Sequence, residues 1–376
     1  MILISTHAVF DESDQPRHGT GTELTTYLQS NKQSYCYIKH ALSGESKTEV
    51  EIYKNNQKKL IIKRVGISGL PLLLRVIQDQ VINFYYAIKF KNIKLYIGID
   101  PLNAFSAVIS KKLNLVKSNI FYTADYAHER FVNKVMNNIY HALDLFAAKN
   151  SDQVWNVSSR IVQAREKQGI DSKIIFLIPN TPEFRKTRRL PLSKINKHDL
   201  VIVSNLTRAI DYPLMIKAVS LLEKKYKDIK LKIIGSGEYQ PELEKLVSKL
   251  KLEDKIIFLG RKPHKEVLDI LSKSAIGVAI YTKDKPWTHF GDSMKVREYM
   301  ACGLPVIMND IASTADDVNR YKAGIVLKGK GKGFEKAVDE IFSSKQVYQQ
   351  YRKNAVELAK KYDFTKSVDY AFAKIA

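Results

Sequence analysis

Short apolar runs alternate with longer amphipathic stretches along almost the whole chain of 376 residues. Apolar runs bounded by turn residues are typical of buried strands, whereas apolar residues at three- and four-residue spacing are typical of helices. Strands that are separated by helices in this way favour parallel sheets built from βαβ units. Because the chain is longer than one ordinary core requires, the pattern predicts an α/β protein with two domains.

The first alternating series occupies residues 1–178, and a second, similar series occupies 200–354. The predicted strands of the first series are 1–5, 35–39, 58–65, 94–100, 119–125, 153–158 and 173–180. Those of the second series are 200–205, 231–235, 255–260, 275–281, 305–309 and 324–328. Between them, residues 179–199 contain prolines and many basic residues, which predicts a linker. Such doubly wound sheets bind ligands at the carboxyl ends of their strands.

The most apolar stretch, residues 69–90, is interrupted by Arg75, Gln78, Asp79 and Gln80, so it does not suit a membrane span. Its spacing predicts a core helix with one polar face. The alternative is an amphipathic helix that lies on a surface.

The net charge of +22 predicts a polyanionic partner or an anionic surface, and nucleic acid, acidic lipid and phosphorylated substrates all satisfy it. The two cysteines, Cys36 and Cys302, lie in different halves without zinc-ligand spacing, which favours reduced thiols in a cytoplasmic protein. The N-terminus has no basic start or cleavage site, so no signal peptide is predicted.

A glycine turn, Gly235-Ser236-Gly237, follows a buried strand and precedes a helix. Glycines at such a turn let the backbone approach a phosphate closely. The third glycine of the dinucleotide fingerprint is absent, and no acidic residue ends the next strand, which disfavours NAD(P). The alternative is a tight structural turn.

The stretch HFGDSMKVREYMACGLPVI (289–307) predicts a helix that begins near Ser293. The first free amides, around Asp292, Ser293, Met294 and Lys295, would form an anion site. Lys295 in the first turn opposes the helix dipole, and a bound diphosphate would explain it. Glu298, one turn deeper, is suited to ribose hydroxyls. The alternative is an ordinary Lys295–Glu298 ion pair on a solvated helix face.

In this context the sequence resembles the GT-B glycosyltransferases, particularly glycosyltransferase family 4. The matching segments, in chain order, are VWNVSSRIVQAREKQGIDSKIIFLIPN, LVIVSNLTRAIDYPLMIKAVSLL, LKIIGSGEYQPELEKL, IIFLGRKPHKEVLDILSKSAIGVAIY, SMKVREYMACGLPVI and NAVELAKKYDFTKSV. The resemblance implies two Rossmann-like domains that face each other across a cleft. Residues 1–178 would bind the acceptor and 200–354 the donor, with the C-terminal helix, about 355–376, packing back on the first domain.

The resemblance also implies functional residues. Glu298 matches the family's ribose-binding glutamate, and Lys295 matches a lysine near the donor phosphates. Asp125 falls where the superfamily often places a functional His or Asp. Gly235 and Gly237 match the glycine turn beside the pocket, and Arg261 lies in the segment near the base. Gly19, Thr20 and Gly21 match a flexible N-terminal loop that meets the donor.

Some family positions differ in this chain. Phe290 occupies the place of the first of two glutamates, and Asn205 replaces an arginine that grips the diphosphate. Arg208 is the nearest substitute, with Lys283 or Lys285 as additional candidates. Asp100 also ends a strand, where a helix-capping role before Pro101 is favoured over a functional one.

The implied function is that of an EC 2.4 glycosyltransferase, which moves a sugar from a nucleotide-diphosphate sugar to a hydroxyl acceptor on a lipid-linked or polysaccharide intermediate. No cofactor or metal is predicted. Asp125 is the candidate base if the reaction inverts configuration, and an orienting group if it retains configuration. The alternatives are a sugar-nucleotide epimerase of the same fold and a basic nucleic-acid-binding protein.

The positive charge gives a second expectation, peripheral docking on an anionic membrane through the Lys-rich first domain and the linker cations. Those linker cations are Arg185, Lys186, Arg188 and Arg189. A generally Lys-rich composition without a binding role explains the charge equally well.

Overall fold

The structure is a computed structural model that describes residues 1–10, 14–16, 19–43, 45–55, 59–182, 184–282 and 286–375, without the side chains at 59, 186, 286 and 287. The candidates that lie outside the described residues are Lys283, Lys285 and the side chain of Lys186. The chain divides into two compact units, Met1–Ile178 with Val368–Ala376, and Pro179–Ser367.

The first unit contains a sheet with the strand order β4-β3-β2-β1-β5-β6-β7-β8. Its strands are β1 (Ile2–Ala8), β2 (Tyr35–Ala41), β3 (Thr48–Lys54), β4 (Lys59–Val65), β5 (Ile93–Ile99), β6 (Val116–Thr123), β7 (Gln153–Asn156) and β8 (Ile175–Leu177). Its helices are α1 (Thr20–Ser30), α2 (Leu72–Lys89), α3 (Pro101–Lys112), α4 (Lys134–Asn150) and α5 (Ser159–Lys167). The strands pair in parallel except for β3, which is antiparallel to both β2 and β4.

The second unit contains a parallel sheet with the order β11-β10-β9-β12-β13-β14. Its strands are β9 (Asp199–Val203), β10 (Lys230–Ile234), β11 (Ile256–Gly260), β12 (Ile276–Ala279), β13 (Val306–Asn309) and β14 (Gly324–Leu327). Its helices are α6 (Tyr212–Leu222), α7 (Gln240–Leu250), α8 (His264–Lys273), α9 (Met294–Ala301), α10 (Thr314–Arg320), α11 (Phe334–Phe342), α12 (Lys345–Lys361) and the start of α13 (Phe364–Phe372). The predicted α/β class with two parallel-sheet domains is confirmed.

The sheet of the second unit is buried on both faces, and the central strand β9 shows why its sequence is continuously apolar. Leu200 and Ile202 pack into one core, whereas Val201 and Val203 pack into the core on the other face. Successive side chains of a strand point to opposite faces, so a strand between two helix layers needs apolar residues at every position.

Strand β3 is not among the predicted strands. Its sequence alternates apolar residues with Glu49 and Glu51. In the structure both carboxylates are buried and paired across the sheet, with Lys39 on β2 and, for Glu49, also with Arg64 on β4. These ion pairs compensate the two carboxylates for the hydration that they lose on burial.

Residues 179–199, predicted as a linker, belong to the second unit in the structure. Leu190 is buried, and Arg189 donates a hydrogen bond of 2.9 Å to the carbonyl oxygen of Ala301 on α9. The predicted C-terminal helix is divided into two, α12 and α13. The chain from Val368 onward belongs to the first unit, where Asp369 accepts a hydrogen bond from Tyr27.

The prediction that residues 69–90 form a core helix with a polar outer face is wrong. They form α2, which turns its apolar side to solvent and its polar side inward. Leu73 is 72% exposed and Val81 is 61% exposed, whereas Asp79 and Asn83 are buried. The surface-helix alternative describes α2 better than the core interpretation does.

Candidate functional site

The glycine turn of the second unit lies beside the carboxyl end of β9, because β9 and β10 are paired and parallel. The chain leaves β10 at Gly235, whose φ of +136° favours glycine. A Cβ atom on Gly235 would lie 2.0 Å from the carbonyl oxygen of Ser204, and one on Gly237 would lie 2.3 Å from that of Leu206. The glycines are therefore required for close packing of the turn against the segment that follows β9.

Lys295 extends from the first turn of α9 to the same segment. Its Nζ donates a hydrogen bond of 2.9 Å to Oγ of Ser204 and lies 5.7 Å from the ring centroid of Tyr281. Burial lowers the pKa of Lys295 from its usual 10.5 to about 8, although the Glu298 carboxylate acts in the opposite direction. A cation held in this way gains from a bound anion, which would replace the hydration that Lys295 has lost.

Glu298 lies one turn further along α9 and is buried. Its Oε1 is 2.8 Å from Nε2 of His264, the first residue of α8. This carboxylate accepts from a ring nitrogen in the structure, and it can accept equally from hydroxyl groups of a ligand. The predicted Lys295–Glu298 ion pair is not formed as a direct contact, since each side chain has another partner.

The N-terminus of α9 offers fewer amides than the sequence predicts. The amide of Ser293 donates to Oγ1 of Thr314 at 2.8 Å, and its hydroxyl lies 2.6 Å from the Tyr281 hydroxyl. The first intrahelical bond runs from Arg297 N to Ser293 O, so the amides of Met294 and Lys295 precede it. Ser293 is thus the N-cap residue, which Thr314 and Tyr281 hold in place without a capping bond from its own side chain. The next amides are oriented along the helix dipole.

Asp292, a predicted donor-binding residue, has a structural role instead. Its fully buried carboxylate accepts from the Arg297 guanidinium, from Thr314 and from the amide of Asn180. Burial raises the pKa of Asp292, although Arg297 opposes the shift. Arg297 also binds Asp317 on α10 at 2.6 Å. This network fixes the start of α9, and the Asp292 side chain has no exposed surface in this structure.

Arg208, the candidate to replace the missing phosphate-binding arginine, is paired with another side chain in this structure, and its role stays a prediction. Its guanidinium forms an exposed ion pair of 2.6 Å with Glu242 and stacks over Tyr239. Arg261, by contrast, reaches the glycine turn, where its Nε donates to Oγ of Ser236 at 2.7 Å. Only the second of these two predicted arginines adjoins the other candidates.

The structure therefore brings one group of candidates together at the carboxyl ends of β9, β10 and β12. They meet around Ser204, which touches both the glycine turn and Lys295. The members of this group are Gly235, Gly237, Arg261, Ser293, Met294, Lys295 and Glu298. It is a cluster of a partly buried cation, an acceptor carboxylate and helix N-terminal amides.

In the first unit, Asp125 follows β6 and is paired with Arg130. Its side chain is 45% exposed, so this carboxylate is partly accessible to solvent while it is paired with Arg130. The ion pair also raises the pKa of Arg130, although burial opposes this shift.

Gly19, Thr20 and Gly21 form the start of helix α1, where a flexible loop was predicted. Gly19 is the N-cap, and Thr20 is the first helical residue. Gly21 is buried, and a Cβ atom there would lie 2.0 Å from Oη of Tyr37. Gly21 is therefore needed for packing of α1 on β2.

A buried polar network in the first unit was not predicted as a whole. Asp100 caps α3 as expected, accepting from the amide of Asn103, but it also lies 2.9 Å from Nδ1 of His7 at the end of β1. The other ring nitrogen of His7 is 3.3 Å from Asp79, which in turn lies 3.0 Å from His40. Asp100 has a φ of +81°, a strained value for a non-glycine residue. The detectable signal was the polar pair Asp79 and Asn83, which are four residues apart and therefore lie on one face of α2.

The charge state of this network predicts a pH dependence of stability. Burial alone would lower the pKa of His7, but Asp100 and Asp79 outweigh it and raise this pKa to about 10. Burial would raise the pKa of Asp79, but His40 and His7 lower it to about 2. The His7 contribution is thus complete below the unfolded pKa of 6.5 and is lost as pH rises towards 10.

We therefore expect His7→Asn to remove a negative slope of stability, up to about 1.4 kcal/mol per pH unit, between these two pKa values. Denaturant unfolding across that pH range measures it. His198→Asn, which changes a histidine paired with the exposed Asp228, is the matched control and should retain the slope. Equal slopes in wild type and His7→Asn would contradict the assignment.

Among the described residues, no three His, Cys, Asp or Glu side chains are grouped as a metal site would require. Within the same residues, no helix is both long enough and apolar enough to cross a bilayer. The metal-free reaction stays a prediction.

Residues 184–358, which lie within the second unit, match the model of the family glycosyl transferases group 1. The matched residues make up nearly the whole second unit and just under half of the chain. The resemblance that the sequence motifs predicted is thereby confirmed.

Two curated relatives carry related descriptions. The chain is 25% identical over 180 residues to an uncharacterized glycosyltransferase of Haemophilus influenzae, covering 47% of this chain and 49% of that protein. It is 22% identical over 277 residues to WcaL of Escherichia coli K12, described as a colanic acid biosynthesis glycosyltransferase, covering 72% of this chain and 65% of that protein. The matched region thus spans between 49% and 65% of these relatives.

The fold is shared with a solved glycosyltransferase structure. The crystal structure of Anabaena HepE in complex with UDP superposes with a TM-score of 0.69 at 13% identity, covering 99% of this chain and 98% of that chain. The chain has the GT-B glycosyltransferase fold, as the sequence resemblance implied.

Proposed function

We propose that this group 1 glycosyltransferase transfers a sugar from a nucleotide-diphosphate sugar to a hydroxyl group of an acceptor. The observation that carries the proposal is the pair of side chains on α9, with Lys295 at the glycine turn and Glu298 buried one turn deeper. A cation suits the diphosphate, and a carboxylate suits the ribose hydroxyls. HepE, which shares the fold, has been crystallised with UDP, with UDP-glucose and with UDP and glucose.

In this proposal the second unit stabilises the leaving diphosphate. Lys295 neutralises charge that develops on the phosphate oxygens as the bond to the sugar breaks, and the amides of Met294 and Lys295 donate to the same oxygens. Arg297 contributes indirectly, since its bonds to Asp292 and Asp317 fix the start of α9 before the ligand arrives. A prearranged site of this kind needs little reorganisation during the reaction.

The acceptor groups are proposed to come from the first unit. Asp125, whose side chain is 45% exposed beside Arg130, takes the acceptor proton if the reaction inverts configuration. A lipid-linked or polysaccharide acceptor is supported by the descriptions of relatives: WcaL is assigned to colanic acid biosynthesis, and the fold neighbour WaaG is involved in lipopolysaccharide biosynthesis. We place the enzyme in the cytoplasm, a reducing compartment that suits the free thiols of Cys36 and Cys302.

A panel of nucleoside diphosphates tests the donor site. At 100 times its dissociation constant, the correct diphosphate is expected to stabilise the protein by about 2.7 kcal/mol, measured as a shift of thermal unfolding. Its sugar conjugate should then donate sugar to a lipid-linked acceptor extract. Interconversion of the free nucleotide sugar would favour an epimerase, and a shift with RNA but with no diphosphate would favour a nucleic-acid-binding protein.

The lowered pKa of Lys295 predicts proton uptake on binding. At a pH near 8, about half of the Lys295 side chains are neutral, and a bound diphosphate raises their pKa. The nucleotide's own terminal phosphate, with a pKa of about 6, is already ionised. Binding should therefore take up about half a proton near pH 8, and less as the pH is lowered.

Calorimetry in two buffers of different ionisation enthalpy measures this uptake. Lys295→Arg provides the control, since arginine stays charged and should bind without proton uptake. Wild-type binding heats that do not depend on the buffer would contradict a phosphate contact at Lys295.

A further inference from the structure

Helix α2 carries a stripe of apolar side chains on its solvent face. The stripe is defined by Leu73, Leu74, Ile77, Val81, Tyr85 and Ile88, which are between 51% and 72% exposed. At about 3.6 residues per turn, these positions lie on one side of the helix and follow it for nearly its whole length of about 27 Å. Scattered apolar residues on a surface are ordinary, but a continuous stripe of this kind marks a surface that binds something.

The buried face of α2 is polar, and its hydrogen bonds fix the orientation of the helix. Asp79 is bonded to His7 and His40, and Asn83 accepts from His40 while donating to Asn103. Rotating α2 to bury the apolar stripe would break these bonds and expose or isolate a buried carboxylate, which is costly. The exposure of the stripe is therefore built into the fold.

The turn before α2 is fixed in the same way. The side chain of Gln78 accepts from the amide of Ile67 at 2.8 Å and donates to its carbonyl oxygen at 3.1 Å. Ile67, itself 65% exposed, extends the apolar surface beyond the first turn of the helix.

The charges beside the stripe are positive. All residues of α2 are described, and its one acidic side chain, Asp79, is buried on the opposite face. The helix contributes Arg75 and Lys89, and the exposed Lys91 and Lys94 follow it. Lys89 also donates to the hydroxyl of Tyr85 at 3.1 Å, which places a cation and an aromatic hydroxyl together at the edge of the stripe.

The apolar stripe and the cations beside it together indicate what kind of partner binds to α2. A long apolar stripe, flanking cations and a tyrosine with a polar tip are the features of helices that lie in the interface of an anionic bilayer. A second copy of the chain would bring the same cations against each other, in a protein whose net charge is +22. We propose that the apolar stripe of α2 is a docking surface for a membrane that contains anionic lipid.

The sheet topology determines which edge of the first unit lies near the apolar stripe of α2. Because β4 runs antiparallel to β3, and β3 antiparallel to β2, β4 runs parallel to β1 and β2. The chain therefore leaves β4 towards α2 at the same edge of the sheet at which β5 and β6 end and Asp100 and Asp125 follow them. Docking at α2 brings that edge close to lipid headgroups. The inference concerns membrane binding alone and does not depend on which reaction the protein catalyses.

Vesicle sedimentation tests the proposal with the full-length protein. Wild type is expected to bind vesicles of phosphatidylcholine with phosphatidylglycerol, and to bind pure phosphatidylcholine much less. Ile77→Glu/Val81→Glu places two acidic side chains on the stripe without touching the buried face, and should weaken binding at least about tenfold. Arg75→Gln and Lys89→Gln should each weaken it about fivefold and reduce its salt dependence.

Leu221→Glu is the matched control, because Leu221 is a 57% exposed leucine on α6 of the second unit. It should bind vesicles as wild type does. Circular dichroism and thermal unfolding check that the double variant is folded. Undiminished vesicle binding by the folded double variant would overturn the proposal. A wild-type dimer that this variant converts to a monomer, with no vesicle binding by either protein, would overturn it in favour of self-association.

Discussion

Replacement of Glu298 by alanine is expected to weaken the binding of the preferred nucleoside diphosphate by about 10- to 100-fold, because hydrogen bonds to a charged group contribute about 1.5–3 kcal/mol. The carboxylate is buried on α9, where ribose hydroxyls would replace its contact with His264. The loss has a second component, since Glu298 raises the pKa of Lys295. Without Glu298, more of the Lys295 side chains are neutral near pH 7, and the diphosphate loses part of its cation.

Titration calorimetry at two pH values separates these components. The defect of Glu298→Ala should grow as the pH rises from 7 towards 8, the pKa of Lys295 in wild type. Glu266→Ala removes an exposed glutamate of α8 that lies 3.9 Å from Lys262, and it should bind like wild type. Unchanged affinity in Glu298→Ala, with the Glu266→Ala control also unchanged, would remove the main support for a nucleotide site on α9.

The residues of α9 could be predicted because their relations are local. Lys295 and Glu298 are three residues apart on one helix, so helix geometry alone puts them near each other. The glycine turn was equally visible, because a strand, two glycines and a helix follow one another directly in the sequence. In both cases, the rule that ligands bind at the carboxyl ends of parallel strands indicated where in the fold these residues would lie.

Two donor-binding predictions, Asp292 and Arg208, concern side chains whose structural partners are distant in sequence. Asp292 was expected to face a ligand, but Thr314 and Asp317 belong to a helix that follows a further strand. Arg208 was expected to bind phosphate, but it pairs with Glu242 after the next strand. A charge pattern does not tell which opposite charge will be nearby, so these residues needed the tertiary structure.

Helix α2 shows the same limit for hydrophobic patterns. Its periodicity correctly predicted an amphipathic helix, but the polar face that contains Asp79 and Asn83 is the buried one. Their buried partners, His7, His40 and Asn103, come from two strands and another helix. Periodicity identifies two faces of a helix, but the partners supplied by the rest of the fold decide which face is buried.

Replacement of Arg297 by alanine is expected to destabilise the second unit by about 3–5 kcal/mol, the range for breaking a buried ion pair from one side. Arg297 contacts Asp292 at 2.9 Å and Asp317 at 2.6 Å, and all three side chains are buried. Its loss leaves two carboxylates close together in the interior without a counter-charge. Denaturant unfolding, followed through the transition that bound nucleotide stabilises, measures the effect.

The pH dependence identifies the cause. Burial already raises the pKa of Asp292, and removing Arg297 raises it further. A carboxyl group with a raised pKa binds more protons in the folded than in the unfolded protein, so the variant regains stability as pH falls through that pKa. The defect should therefore be largest at neutral pH and smaller in mild acid. Arg208→Ala breaks an exposed arginine pair and should cost only about 0–1 kcal/mol. A defect in Arg297→Ala that does not shrink on acidification would point to lost packing of the arginine side chain rather than to uncompensated buried charge.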